Sequence, residues 1–343
     1  MNNSSHLSPR SLSTYRLYGV RLASDSEFRT PLRTDPGPYD LTFRCHASPL
    51  PAIDPAQDML VFESPIRLES GAPYMALYRL AGRDLLRFSE VVDFEISEDA
   101  VTAHLLDPEY AFMVEIHLLG SVLSYWFERR GLPMLHASAV AVEGQAAVFM
   151  ATNRAGKSSL AAAVMTSGGA LLADDLAGLR VEGERVEALP GWPCMRFWPD
   201  QASHFGRPVQ ALPLAHPGYA KRMVPVGGEF GAFCDRPCPV GAIYLPERRA
   251  ATSGDPRVDV SEVPRRRGIM ELVRGSFLPQ TLEAAGFAAR RMALFARALE
   301  RVPVKRLVYP DGVEFLPAVA EAIKEDLARE QRPLSGASTG AAS

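Results

Sequence analysis

The stretch from Leu135 to Asp175 constrains the fold more than any other part of the chain. Two apolar runs, Ala139–Val142 and Ala146–Met150, flank a Glu-Gly dipeptide, which is typical of a β-hairpin. A short loop, a helical run rich in Ala and Leu, and a Ser-Gly-Gly stop follow. A further apolar run, Ala170–Ala173, ends at two adjacent aspartates. This order of hairpin, loop, helix and strand predicts an α/β fold.

The loop at residues 151–159, ATNRAGKSS, fits the phosphate-loop pattern G-x-x-x-x-G-K-[ST], except that Ala151 stands in the first Gly position. Backbone N–H groups at the start of the following helix can face a phosphate, whose charge the helix dipole favours. Lys157 would neutralise the β- and γ-phosphates, and Ser158 would offer its hydroxyl to Mg²⁺. The predicted nucleotide-binding residues are Ala151, Asn153, Arg154, Ala155, Gly156, Lys157, Ser158 and Ser159.

The acidic pair, Asp174 and Asp175, follows the next predicted strand. Phosphoryl transfer to a hydroxyl needs two such groups, because one carboxylate can hold the metal and the other can accept the proton of the attacking hydroxyl. A phosphate-loop match or an Asp-Asp pair alone is often coincidental, but their order and spacing together argue against coincidence. The two carboxylates are therefore catalytic candidates, and the residues alone do not assign the two roles.

Two further side chains are candidates for phosphate chemistry. His136 is predicted on the first strand of the hairpin, where a histidine is usually a core residue, although a neutral imidazole could also hydrogen-bond the acidic pair. Arg196 lies in PGWPCMRFWPD, residues 190–200, whose three prolines predict a rigid loop and no helix. Its guanidinium suits phosphate recognition, whereas Trp192 and Trp198 more simply cover the core.

These features resemble the catalytic domain of the HPr serine kinase/phosphorylases, whose fold is related to that of the phosphoenolpyruvate carboxykinases. The resemblance runs from about Leu118 to about Ile323 and includes residues 190–200, the pair at 221–222, and VKRLVYPDG at 304–312. Within this family, the chain is most similar to the serine kinases that accompany ribosomal-peptide biosynthesis, including those that phosphorylate lasso-peptide precursors. The resemblance implies a P-loop kinase domain, ATP and Mg²⁺ as cofactors, and a position for His136 near the phosphates and metal.

The resemblance also has implications for the roles of individual residues and for the partners of the protein. In the related carboxykinases the second acid of such a pair meets a metal, which favours Asp174 as the base and Asp175, with Ser158, as the metal ligands. The pair Lys221-Arg222 becomes a candidate contact for phosphate or acceptor. HPr kinases assemble into hexamers, so a homo-oligomer is compatible with the resemblance. No segment matches the E-I-R-G sequence of the bifunctional enzymes, which argues against HPr as the substrate and against phosphorylase activity.

Two residues depart from the phosphate-loop pattern. Ala151 replaces the first glycine, and Arg154 stands where small residues are usual. If the backbone at residue 151 needs a positive φ, alanine there costs roughly 1 kcal/mol. The loop would then be slightly distorted, or Arg154 would reach a phosphate itself.

Composition bounds the class of protein. The 343 residues are 47% apolar and 22% charged with a net charge of −3, which is typical of a globular protein and gives no sign of a nucleic-acid or membrane partner. The first residues lack the apolar core of a secretory signal, which predicts a cytoplasmic location. Cys234 and Cys238 could form half a zinc site, but their spacing is wider than C-x-x-C and no second pair exists, so we expect bystander thiols.

The chain is predicted to comprise a disordered tail (1–12), a smaller β-rich N-terminal domain (13–108), a connecting helix (109–131), an HPr-kinase-like P-loop kinase domain (132–330) and a second disordered tail (331–343). The β-rich domain has predicted strands at Tyr15–Ala23, Leu41–Arg44, Met59–Glu63, Tyr74–Leu80, Leu85–Ile96 and Ala100–Leu106. Further on, residues 248–259 are predicted as a loop and residues 282–299 as one helix.

The leading hypothesis is an ATP- and Mg²⁺-dependent kinase that phosphorylates a Ser or Thr hydroxyl of a peptide or small protein, such as a lasso-peptide precursor. Two alternatives stay open. One is a nucleotide-binding regulatory module that has lost transfer activity, which Ala151 and Arg154 favour; the other is a small-molecule kinase. Two carboxylates at the transfer site count against the first alternative, because nucleotide binding alone does not need them.

Overall fold

Nine strands form one mixed sheet in the computed structural model, which describes residues 12–47, 53–54, 58–151, 156–250 and 256–330. They are β1 (Ser13–Leu17), β2 (Val20–Ser24), β3 (Arg33–Thr34), β4 (Leu41–His46), β5 (Met59–Glu63), β6 (Met75–Leu80), β7 (Arg83–Phe88), β8 (Val92–Ile96) and β9 (Ala100–Leu105). Their order across the sheet is β3-β1-β2-β4-β9-β8-β7-β6-β5, with parallel pairs at β2–β4 and β4–β9.

Two segments predicted as single strands are hairpins. Residues 15–23 divide at Tyr18 and Gly19, whose φ angles of 49° and 83° form the left-handed turn that a two-residue hairpin loop requires. Residues 85–96 divide into β7 and β8 around Glu90, which has a φ of 65°. Both turns lack proline and carry apolar residues on both sides, so the pattern alone did not reveal them.

A helical segment leads from the first sheet to the second. It consists of a 3₁₀ turn (Pro108–Tyr110), α1 (Ala111–His117), a π-helical turn (Leu118–Val122) and α2 (Leu123–Arg129). Trp126 Nε1 donates to the backbone carbonyl of Glu98 at 3.0 Å, and Tyr125 Oη donates to Asp84 Oδ2 at 2.8 Å. These contacts fasten α2 to the first sheet, while other side chains of the segment share a core with the second sheet.

The second sheet contains ten strands within the described residues. They are β10 (Met134–Leu135), β11 (Ala137–Val142), β12 (Gln145–Met150), β13 (Ala170–Ala173), β14 (Ala177–Glu182), β15 (Arg185–Leu189), β19 (Ala232–Phe233), β20 (Cys238–Arg249), β21 (Asp259–Glu262) and β22 (Val304–Pro310). The order is β10-β14-β15-β20-β12-β11-β13-β19, and β22 pairs with both β20 and β21. The predicted hairpin is formed by β11 and β12.

Six α-helices follow β12 in the described part of the chain. They are α3 (Lys157–Thr166), α4 (Pro199–His204), α5 (Arg265–Arg274), α6 (Pro279–Ala284), α7 (Ala288–Ala298) and α8 (Leu316–Glu330). Phe149 of β12 packs in a core with Leu160 of α3 and Val319 of α8. Its neighbour Val148 belongs to the core that also contains Leu22 of the first sheet, as expected for side chains that alternate along a strand. Within the described residues, no helix is both long and apolar enough to cross a membrane.

A third, three-stranded sheet lies beside the second and corrects the prediction for residues 190–200. It has the order β16 (Cys194–Phe197), β18 (Tyr219–Pro225), β17 (Leu214–His216). Residues 194–197 are therefore a strand, and Pro199 is the first residue of α4. Proline is tolerated at this position because its missing N–H would have no partner within the helix.

Two more predictions in the second half of the chain are wrong in detail. The helix predicted over residues 282–299 is interrupted between α6 and α7, where Gly286 has a φ of 85°. The loop predicted over residues 248–259 is shorter, because β20 runs to Arg249 and β21 begins at Asp259; residues 251–255 lie outside the described part of the chain.

Candidate active site

The connection between β12 and α3 contains the predicted phosphate-loop residues. Ala151 follows β12 directly, whereas Asn153, Arg154 and Ala155 lie outside the described residues. Gly156 has a φ of 91° and immediately precedes the first residue of α3. This left-handed conformation favours glycine, so the backbone at the helix start accounts for the glycine of the motif.

Lys157 is the first residue of α3 and is buried, with 6% of its surface exposed. Its Nζ donates to the backbone carbonyl of Ala151 at 2.8 Å, so the side chain reaches back across the start of the loop. Burial lowers the pKa of Lys157, and the charges of Asp175 and Asp174 oppose that shift. The ammonium group is thus held between the loop and the acidic pair.

Asp174 directly follows β13 and accepts three hydrogen bonds. Ser138 of β11 and Ser158 of α3 donate to Oδ1 at 2.6 and 2.9 Å, and the backbone N–H of Arg196 donates to Oδ2 at 3.0 Å. Burial raises the pKa of Asp174 and the charge of Asp175 adds to the rise, while the three hydrogen bonds oppose it. The contact between Ser158 and Asp174 joins the loop motif to the acidic pair.

Asp175 has a φ of 66°, a conformation that costs a non-glycine residue roughly 1 kcal/mol and that Asp and Asn tolerate best. Its side chain is 18% exposed, and Oδ2 lies 3.6 Å from Nη1 of Arg196. Burial raises the pKa of Asp175, but nearby basic side chains lower it more, so the net shift is downward. These side chains are Lys221, Arg196, His136 and Lys157. Asp175 is therefore an ionised carboxylate among basic groups.

His136 lies between β10 and β11, just before the hairpin strand on which it was predicted. Its backbone N–H donates to the carbonyl of Gly275 at 2.7 Å, and its ring centroid lies 5.8 Å from that of Phe277. The side chain is half-buried and lines a cleft of about 720 Å³ that extends to Ala151. His136 thus borders an open cleft near Asp175 and does not fill the core.

The remaining predicted residues divide into those that face the acidic pair and those that do not. Lys221 lies close enough to lower the pKa of Asp175, with its Nζ 5.9 Å from the ring centroid of Trp198. Its neighbour Arg222 donates to a backbone carbonyl at 3.1 Å. Ser159 accepts a hydrogen bond from Gln201 of α4 at 2.6 Å, so its hydroxyl is engaged between two helices.

Two residues at this site escaped the sequence analysis. Ser138 is one of several small residues on β11, and nothing in its local pattern distinguishes the hydroxyl that meets Asp174. Tyr18 lies 158 residues before Leu176, the residue whose carbonyl accepts a hydrogen bond from its hydroxyl. No local sequence pattern predicts either contact, because each one joins segments that are far apart in the chain.

The strain considered for Ala151 is absent, since positive φ among the described non-glycine residues occurs at Tyr18, Glu90, Glu143 and Asp175. We therefore expect Ala151→Gly to change ATP affinity by less than about twofold and to lower stability by at most roughly 1 kcal/mol, through greater freedom of the unfolded backbone. An ATP titration and a thermal melt of both forms check this expectation. A tenfold change in affinity would show that the Ala151 methyl group contributes to the loop.

Together these contacts define two different carboxylates. Asp174 is buried and hydrogen-bonded to the start of α3, and Asp175 is ionised and lies beside basic groups. This arrangement is suited to phosphate chemistry.

A scan against known protein families finds no match for the chain, and a search of curated proteins finds none either. A solved structure of the HPr(Ser) kinase/phosphatase from Coxiella burnetii aligns with 57% of this chain and 98% of its own, at 14% sequence identity and a TM-score of 0.30. This likeness is distant, so the geometry of the site carries the functional argument.

Proposed function

We propose that the chain is an ATP- and Mg²⁺-dependent kinase that transfers the γ-phosphate to a Ser or Thr hydroxyl. The observation that carries the proposal is the hydrogen bond from Ser158 to Asp174, at 2.9 Å, with Asp175 as the next residue. It brings a hydroxyl at a helix start together with two carboxylates that have opposite pKa shifts. Groups whose environments separate their pKa values are suited to different roles in one reaction.

The nucleotide would lie on the loop between β12 and α3, with its phosphates at the start of α3 and near Lys157. A helix start favours phosphate because its backbone N–H groups lack partners within the helix and its dipole is positive there. Lys157 already lies within reach of the loop, since its Nζ contacts Ala151. On binding, the ammonium would exchange this carbonyl for phosphate oxygens.

The residues near Asp174 fit a magnesium ion, because a hydroxyl and carboxylate oxygens are the hard donors that Mg²⁺ prefers. The described residues contain no group of three or more His, Cys, Asp or Glu side chains that could hold a metal, so phosphate oxygens and water would complete the shell. We assign Ser158 and Asp174 as the protein ligands, because a loop hydroxyl and a buried aspartate are the usual pair at such sites. When bound, the ion would neutralise charge on the phosphates.

Asp175 is the group we assign to the acceptor, which reverses the preference drawn from the carboxykinases. Its ionised carboxylate can accept the proton of the attacking hydroxyl, and it is more exposed than Asp174. Arg196 and Lys221 lie beside it and would stabilise the negative charge of the transferring phosphoryl group. His136 would face the same charge from the side of the cleft.

For the acceptor we propose a peptide or small protein, and specifically the precursor of a ribosomally made, lasso-type peptide. This part of the proposal is supported by the resemblance described above and by the open cleft beside His136. Residues 132–330 would form the P-loop kinase domain, and residues 13–108 a smaller β-rich domain that shapes access for the peptide. The protein would act in the cytoplasm, without nucleic acid or membrane as a partner.

The test is transfer of radiolabel from [γ-³²P]ATP to a degenerate Ser/Thr-containing peptide library, with a library in which Ala replaces Ser and Thr as the control. We expect labelling that requires both Mg²⁺ and the hydroxyl-containing library. Binding of ATP without transfer to any hydroxyl would instead support a nucleotide-binding module. Transfer to small alcohols but to no peptide would support a small-molecule kinase, and absence of ATP binding would refute the assignment of the loop.

A further inference from the structure

The turn of the first hairpin inserts into the core next to the acidic pair. Tyr18 lies at this turn between β1 and β2 and is only 2% exposed, although turn residues of hairpins usually face solvent. Its ring packs edge-to-face against Phe127 and Trp192, at centroid distances of 5.4 and 5.7 Å. A residue of the first sheet thus reaches the part of the second sheet where the candidate active site lies.

Tyr18 makes two hydrogen bonds to segments that carry active-site residues. Its hydroxyl donates to the backbone carbonyl of Leu176 at 2.6 Å, and Leu176 directly follows Asp175. Its backbone N–H donates to the carbonyl of Pro190 at 2.7 Å, and the chain from Pro190 leads into β16, which carries Arg196. One residue therefore connects the backbone next to the acidic pair with the approach to the arginine.

Two glycines leave the space that the tyrosine ring occupies. A Cβ on Gly191 would lie 2.8 Å from the Tyr18 hydroxyl oxygen, and a Cβ on Gly178 would lie 3.2 Å from Cδ1. Both glycines belong to the second half of the chain, so the close fit is formed by segments far apart in sequence. A side chain at residue 191 would displace the hydroxyl that holds Leu176.

The tyrosine hydroxyl is a permanent donor in this environment. Burial raises the pKa of Tyr18 well above its ordinary value; the charge of Arg196 opposes this rise, and the charges of Asp174 and Asp175 add to it. The hydroxyl therefore stays protonated at any pH at which a kinase would work. It also lies close enough to the acidic pair and to Arg196 for their charges to act on it.

We propose that Tyr18 is a positioning residue that holds the Asp175 turn in its active conformation, an inference that rests on the proposed kinase function. Asp175 has a left-handed φ of 66°, and such a conformation persists only when surrounding contacts impose it. The hydrogen bond to the carbonyl of Leu176 fixes the Leu176–Ala177 peptide, the second peptide after Asp175, and so restrains the backbone that leaves this turn. A residue of the first sheet thereby completes the site. Without the contact from Tyr18, the Asp175 carboxylate would no longer be held in its orientation.

The test compares Tyr18→Phe with Tyr125→Phe, a control that also loses one buried hydroxyl hydrogen bond, at 2.8 Å to Asp84. Transfer of ³²P from [γ-³²P]ATP to water and to the degenerate Ser/Thr peptide library is measured together with ATP affinity and the melting temperature. We expect Tyr18→Phe to lower kcat about 10- to 100-fold, because a small misplacement of a reacting group is costly. ATP affinity and the KM for ATP should stay within about twofold of wild type.

A second variant, Gly191→Ala, displaces the hydroxyl without removing it and should produce the same selective loss of kcat. Tyr125→Phe should lower the melting temperature but leave kcat within about twofold of wild type. If kcat in Tyr18→Phe equals that of the control, or if kcat and ATP affinity fall together, the positioning role is refuted while the kinase assignment stands. If the wild-type protein transfers no phosphate to either acceptor, the kinase proposal fails and this inference fails with it.

Discussion

Lys157→Ala is expected to lower phosphoryl transfer about 10²–10³-fold, which is the typical effect of removing one preorganised charge from a transfer site. The ammonium is buried between the Ala151 carbonyl and the acidic pair, so water cannot easily replace it. Its loss removes the charge that would neutralise the β- and γ-phosphates. It also removes one of the basic groups that keep the pKa of Asp175 low. Transfer of γ-³²P measures the loss of activity, and a thermal melt checks that the fold is retained.

The matched control is Lys324→Ala, because Lys324 contacts the other end of the same helix. Its Nζ donates to the carbonyl of Ser167, at the C-terminal end of α3, at 3.3 Å and pairs with Glu321 at 2.9 Å. This variant loses one lysine and one contact to α3, and we expect its transfer rate to stay within about twofold of wild type. Activity of Lys157→Ala within tenfold of wild type would remove the assignment of residues 151–159 as a phosphate loop.

The second large effect is expected for the pair Asp174→Asn and Asp175→Asn, with losses on the order of 10²–10⁴-fold in transfer. Asn preserves size and, at residue 175, also tolerates the left-handed backbone. It is a poorer ligand for a hard cation and cannot act as the base. Asp174→Asn should therefore need more Mg²⁺ and recover in part when Mg²⁺ or Mn²⁺ is raised. Asp175→Asn should bind ATP and metal normally yet transfer slowly at every metal concentration.

Asp93→Asn serves as the control for loss of a buried carboxylate. Asp93 is fully buried on β8 and accepts two hydrogen bonds from Arg87, at 2.9 and 2.7 Å. Its replacement should lower the melting temperature and leave kcat unchanged. If metal rescue appears in Asp175→Asn instead, the two roles are exchanged. If both active-site variants keep near-normal transfer, the acidic pair is structural and the protein is a nucleotide-binding module.

The segment from β11 to β13 could be predicted from sequence because its signals are local. The hairpin turn uses Glu143 and Gly144 with φ angles of 51° and 82°, and a Glu-Gly pair between apolar runs predicts such a turn. The start of α3 and the bounds of β13, Ala170–Ala173, likewise match the prediction. Each of these features depends on residues that are close together in the sequence.

The predictions failed where a short-range pattern is compatible with two structures. Three prolines in residues 190–200 predicted a loop, but Cys194–Phe197 pairs with β18 and Pro199 occupies the first position of α4. The turn at Tyr18 was missed because an aromatic residue rarely adopts positive φ, and here burial of its ring offsets that cost. Tertiary contacts therefore overrode the local preferences in both segments.

The sequence by itself determined which groups lie along the chain and in what order: a phosphate-loop pattern, a helix start and two adjacent carboxylates. Only the tertiary structure decided which groups meet those carboxylates. Asp174 receives hydrogen bonds from Ser138 and Arg196, which lie 36 and 22 residues away, and Tyr18 reaches Leu176 across 158 residues. The physical reason is that a hydrogen bond between segments depends on strand pairing and register, which the whole core selects and no local pattern encodes.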